Sequence, residues 1–203
     1  MILYEKDRAL YLNLTNRCPV SCGFCVKVPW DYRFEGNDLR LKGAEPTAAQ
    51  LINALEAKLG AGGDWREVVF CGFGESTFSL DEMTKVGLYL KTHYPKVKRR
   101  LNTVGLGDLI WGRNIVPELA RYLDEVAVSL NTADPKQWIE LLRPAPAYRD
   151  TGFAASRAFA ANCVKAGIRT RVTAVELPEV DLEPLELYAK SIGADFTARP
   201  ILA

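Results

Sequence analysis

A chain of 203 residues, 48% hydrophobic and 25% charged, is long enough for one sizeable core and too apolar for disorder, so residues 1–203 are expected to form a single domain. Its 26 Lys and Arg against 25 Asp and Glu leave a net charge of +1, which removes any global field drawing it to nucleic acid or an anionic membrane. The opening "MILYEKDRALYL" lacks the basic region and apolar core of a signal peptide, and no apolar run approaches bilayer length, so a cytoplasmic location with no membrane partner is expected. In chain order, "ALYLNLT" (9–15) reads as a buried strand, "AAQLINALEAKLG" (48–60) as an amphipathic helix and "EVVFCGFG" (67–74) as a strand ending in glycines. A helix over 80–94 stops before Pro95. Strand 97–105, helix 115–123 and strand 124–132 follow. Helices over 134–142 and 152–167, strand 169–177, helix 182–193 and strand 195–202 complete six strand–helix repeats.

That alternation predicts a parallel six-stranded α/β sheet with right-handed crossovers and strands buried on both faces. Six strands are too few for a closed eight-stranded barrel, so an open, partial barrel is the natural alternative, with its chemistry at the C-terminal strand ends. Those ends are "NRCPVSCGFCVK" (16–27), "CGFGES" (71–76), "NTVG" (102–105), "SLNT" (129–132) and "RP" (199–200). The first holds Cys18, Cys22 and Cys25 in a C-x3-C-x2-C pattern. Five cysteines are an odd count, and with a reducing location they favour metal or redox chemistry over a disulfide framework. Structural zinc wants four protein ligands, and Cys71, His93 and Cys163 have no partner at ligand spacing. Three thiols in a Pro- and Gly-bearing loop also do not fit a periodic core element.

This pattern resembles the radical S-adenosylmethionine (radical SAM) superfamily, with Phe24 as the aromatic residue before the third cysteine. The likeness covers nearly the whole chain and implies a partial (β/α)6 barrel. It implies that Cys18, Cys22 and Cys25 hold three irons of a 4Fe-4S cluster, leaving the fourth iron for SAM. Reductive cleavage of SAM then yields a 5'-deoxyadenosyl radical that abstracts hydrogen from substrate. "LTNRC", "CGFC", "GFGE", "LNT" and "LRP" together are similar to the small TatD-associated radical SAM proteins, a likeness that points loosely toward a nucleotide-related small molecule.

The resemblance further implies that Gly72, Gly74 and Glu75 meet the methionine end of SAM, Glu75 through its ammonium. The alternative for Glu75 is a charge at a helix N-terminus. Asn102, Ser129 and Asn131 are cofactor candidates at strand ends, Ser129 and Asn131 being two apart and expected on one face. A strand-end turn explains Asn131 equally. Arg199 is a candidate for the SAM carboxylate and Arg143 for a substrate carboxylate or phosphate; a surface or helix-terminal arginine is the equal alternative for each. Trp30, Tyr32, Arg33 and Phe34, in a long loop after the cysteines, are candidates to cover substrate; a hairpin packed on the flank is the other reading. His93 fits a helix C-terminus, and Cys71 and Cys163 are assigned to the core. The partners implied are a small-molecule or protein substrate and an electron donor such as flavodoxin or ferredoxin. The competing functions are a non-enzymatic iron–sulfur or zinc protein and an activase that installs a glycyl radical on a partner.

Overall fold

The computed structural model describes residues 1–202. The main sheet has seven strands: β1 (Leu3–Lys6), β2 (Ala9–Leu12), β5 (Glu67–Phe70), β6 (Lys98–Thr103), β7 (Glu125–Ser129), β8 (Arg169–Val175) and β9 (Asp195–Arg199), in that order. All neighbours run parallel except β1, which pairs antiparallel with β2. The expected six strands are thus all present. The added β1 has no legible signal in the sequence, because four residues joined to β2 by a tight turn carry too short a pattern; the turn residues Asp7 and Arg8 both have positive φ. The sheet is open, with β1 and β9 at its edges.

Helices α1 (Ala48–Leu59), α2 (Leu80–His93), α5 (Pro135–Leu142), α6 (Gly152–Lys165) and α7 (Glu183–Ser191) connect the parallel strands, with short α3 (Gly107–Trp111) and α4 (Val116–Leu119) in the β6–β7 crossover. Thr47 and Gln50 cap α1 reciprocally, and Leu51, Leu55 and Leu59 bury one of its faces. In α2, Gly87 lets the helix approach Tyr122, whose ring atom would stand 2.1 Å from a Cβ placed there. Right-handed crossovers between strands laid down in unbroken order keep helices on one face of a sheet. Leu10, Leu12, Val68, Phe70, Leu101, Val126, Val128, Val172 and Ala174 supply that face to the core.

The opposite face departs from the expected burial on both sides. Register places Tyr4 beside Tyr11, Val69 beside Arg100, Asn102 beside Ala127, Ser129 beside Thr173 and Thr173 beside Thr197. This second face is therefore polar, and no helix core residue comes from it. Between β2 and α1, a two-stranded hairpin of β3 (Arg33–Phe34) and β4 (Asn37–Asp38) turns through Glu35 and Gly36, both at positive φ as a two-residue hairpin requires. Among the described residues, no helix is long and apolar enough to cross a membrane.

Candidate functional site

The cysteine loop leaves the C-terminal end of β2 and is fixed at its entry by side chains from later in the chain. Arg17 makes a bidentate pair with Glu45 at 2.8 Å and 2.8 Å, and Thr15 donates to the same carboxylate. Asn13 donates to the Leu39 carbonyl at 2.7 Å, while the Asn16 amide oxygen accepts from Leu41 N–H at 2.7 Å. The long segment after the cysteines is therefore tied back to the segment before them.

Cys18 and Cys22 are half-buried and, with Phe24, pack against the core; Cys25 is exposed. Burial pushes the Cys18 thiol up to about 11, and a hydrogen bond from Val20 N–H works against it. Burial pushes Cys22 up to about 12, Cys18 and Cys25 add to the rise, and Arg199 acts the other way. The three thiols thus lie within electrostatic reach of one another, and Arg199 of the last strand lies within reach of Cys22. Among the described residues, no three His, Cys, Asp or Glu side chains converge on a single metal position. Thiolates that each hold a different iron need no such convergence, so the donor set fits an iron–sulfur cluster on its chemistry: three soft ligands on one loop.

The glycine turn "CGFGE" meets this loop directly. A Cβ on Gly72 would stand 2.1 Å from Asn13 Oδ1, and one on Gly74 would stand 2.3 Å from the Thr15 carbonyl. Both glycines are thus required by the approach of the turn to the cysteine-loop entry, which sequence alone could not show. Glu75 N–H donates to the Arg17 carbonyl at 2.8 Å. The Glu75 side chain is buried, and its Oε1 accepts from Thr77 N–H (3.1 Å), Thr77 Oγ1 (2.9 Å) and Thr103 Oγ1 (2.9 Å); Oε2 accepts from Val104 N–H (2.8 Å). It caps the 3-10 turn Ser76–Ser79 and braces it to the end of β6, which is the helix-terminus reading. Burial raises its carboxyl, and the four donors oppose that.

The polar sheet face lies at the same end. Cys71 belongs to it: the thiol is raised by burial, and the neighbouring Asn102 amide, Arg100 and Arg199 act against the rise. It is absent from the core that holds Cys163, so its assignment to the core is corrected. The cause is alternation, which turns Phe70 to the helices and Cys71 away from them. Asn102 Oδ1 accepts from Arg100 Nη1 at 2.8 Å, and Ser129 Oγ lies 3.3 Å from Thr173 Oγ1. Arg100 forms a bidentate pair with Glu67 at 3.0 Å and 2.7 Å, and Arg171 pairs with Glu125. Arg199, at the end of β9, carries no ion pair among the described residues. Arg100, Arg171, Tyr11 and Thr173 escaped the sequence reading, although "RRLN" and "RTRVT" hold the period-two alternation that marks them.

Asn131 parts from Ser129. The strand ends at Ser129, Asn131 has φ 66°, and its buried side chain donates to the Ser129 carbonyl (3.0 Å) and accepts from Val175 N–H (3.2 Å). The expected shared face is lost because the left-handed turn breaks alternation, and the strand-end role stands. Just before the hairpin, Trp30 stacks on its Phe34 at 6.0 Å, and Phe34 meets Tyr4 edge-on at 5.8 Å, so these rings pack against the open edge of the polar face. Tyr32 reaches Phe73 of the glycine turn at 6.2 Å, and Arg33 is exposed. His93 ends α2, exposed and stacked on Tyr89.

No protein-family model and no curated protein sequence matches the chain. Solved structures do. Streptococcus suis SuiB, crystallised with precursor peptide SuiA, is 20% identical with a TM-score of 0.68 over 93% of this chain and 38% of SuiB. A radical SAM methyltransferase from Sphaerobacter thermophilus is 17% identical with a TM-score of 0.61, over 98% of this chain and 68% of its own. The FeFe-hydrogenase maturase HydG from Carboxydothermus hydrogenoformans is 16% identical with a TM-score of 0.62, over 96% and 44%. This chain shares their fold and spans less than half the length of SuiB and HydG.

Proposed function

We propose that residues 1–203 form a radical SAM core domain, a partial (β/α)6 barrel whose polar sheet face lines the interior, and that the protein is a radical SAM enzyme. The observation that carries this reading is the position of Cys18, Cys22 and Cys25: a three-thiol loop at the C-terminal end of the first parallel strand, in a fold held in common with a radical SAM methyltransferase. These cysteines would hold a 4Fe-4S cluster, which when bound supplies the electron that splits the sulfonium of SAM to give a 5'-deoxyadenosyl radical. Phe24 seats the loop on the core. Asn102 and Ser129 offer hydrogen bonds to SAM from the polar face, and Arg199 offers a cation to its carboxylate. Gly72, Gly74, Glu75 and Asn131 act through the turns they shape. Trp30 and Tyr32 close the open edge beside the substrate, a small molecule or a protein, with electrons drawn from a donor such as flavodoxin or ferredoxin in the cytoplasm. The strings "LTNRC", "GFGE" and "LRP" support a place near the small TatD-associated members.

The test is anaerobic reconstitution with iron and sulfide. One oxygen-sensitive 4Fe-4S cluster is expected, with an electron paramagnetic resonance spectrum that changes on adding SAM and is lost in Cys22→Ala. Zinc uptake in place of iron, or a cluster indifferent to SAM, would overturn the reading.

A further inference from the structure

Helix α5 ends in an arginine where glycine is the ordinary choice. Its C-cap Arg143 has φ 48° and ψ 61°, a left-handed conformation that is unfavourable for a residue with a Cβ. The carbonyls that a helix leaves unpaired at this end are taken by the cysteine loop. Ser21 N–H donates to Leu142 at 2.9 Å and Arg143 at 3.2 Å, and Gly23 N–H donates to Leu141 at 2.9 Å. In return, Ala145 N–H donates to the Pro19 carbonyl at 2.9 Å, and Val20 bridges Pro144. The Arg143 side chain folds back over the same loop: a Cβ on Gly23 would stand 3.2 Å from its Nη2. Among the described residues no carboxylate pairs with Arg143, whereas Arg17, Arg40, Arg100 and Arg171 all have acidic partners. An unpaired cation is thus held, against backbone preference, over Gly23 of the cysteine loop.

We propose that Arg143 is a positioning residue for the metal-binding loop. Its left-handed turn docks Ser21–Gly23 on the end of α5, and its guanidinium holds Gly23 down while offsetting the negative helix end that faces the thiolate ligands. The electrostatic half rests on the radical SAM reading; the docking half does not.

Arg143→Gly separates the two. Glycine is at home in this conformation, so the turn and its backbone bonds persist and only the guanidinium goes. In metal-free protein, amide hydrogen exchange at Cys22–Phe24 is expected to speed up several-fold while the melting temperature does not fall. In reconstituted protein the cluster's reduction potential is expected to move negative, and Arg143→Lys to recover it in part. Wild-type exchange rates in metal-free Arg143→Gly overturn the guanidinium's hold on Gly23, and an unmoved potential overturns the electrostatic half. Wild-type protein that takes up no iron removes the functional reading itself and leaves the exchange comparison to decide the hold on Gly23.

Discussion

Arg99 and Arg100 are neighbours in β6 that lie on opposite faces of the sheet. Arg99, on the helix side, is 5% exposed and fully committed: Nε donates to the Tyr122 carbonyl at 2.8 Å and Nη2 to Asp124 at 2.7 Å. Arg100 is half-buried, pairs with Glu67 across the neighbouring strand and reaches Asn102. On the helix side a charge survives only by anchoring to backbone and acid, because desolvation leaves no other option. On the other side charges pair laterally, which keeps the sheet edge-to-edge stable while leaving hydroxyls, amides and Arg199 open to a ligand. Stability is thus concentrated on one face, and the groups proposed for recognition lie on the other.

The largest break in that division is expected from Leu101→Ala, which empties a fully buried site on the helix face. A loss of about 2–5 kcal/mol in unfolding free energy should appear in a denaturant titration. A loss under about 1 kcal/mol would mean that the helix face is not the principal source of stability.

Next in size is Glu75→Gln, at the junction of the two regions. The amide nitrogen would confront donors that now meet a carboxylate oxygen, so about 1–3 kcal/mol of stability should go. The direct role toward SAM predicts the opposite pattern, with stability kept and affinity reduced. Chemical denaturation beside SAM titration reads both.

The smallest effect on stability, within about 0.5 kcal/mol, is expected for Asn102→Ala on the polar face. Its consequence should lie in binding, where losing one hydrogen bond of about 1 kcal/mol weakens SAM affinity by roughly five-fold. Equal affinity for variant and wild type would remove Asn102 from the proposed cofactor set.

The strand–helix alternation, the cysteine spacing and the strand-end positions of Asn102, Ser129 and Arg199 were all determined by local sequence. Periodicity and short-range spacing are properties of neighbouring residues, and burial of an amphipathic face preserves them. Other assignments needed the tertiary structure because they depend on what arrives from far along the chain. Gly72 and Gly74 are explained by the approach of Asn13–Arg17, and Glu75 by Thr103 and Val104. Cys71 left the core because alternation decides which face a residue takes, while only packing decides which face is dry. Arg143 looked like a solvent-facing helix end, and the loop that gives it a purpose lies more than a hundred residues earlier, brought there by pairing with the last carbonyls of α5. Sequence therefore specified which groups would stand at the C-terminal end of the sheet, and tertiary contacts decided which of them are free to act and which are consumed in holding the others.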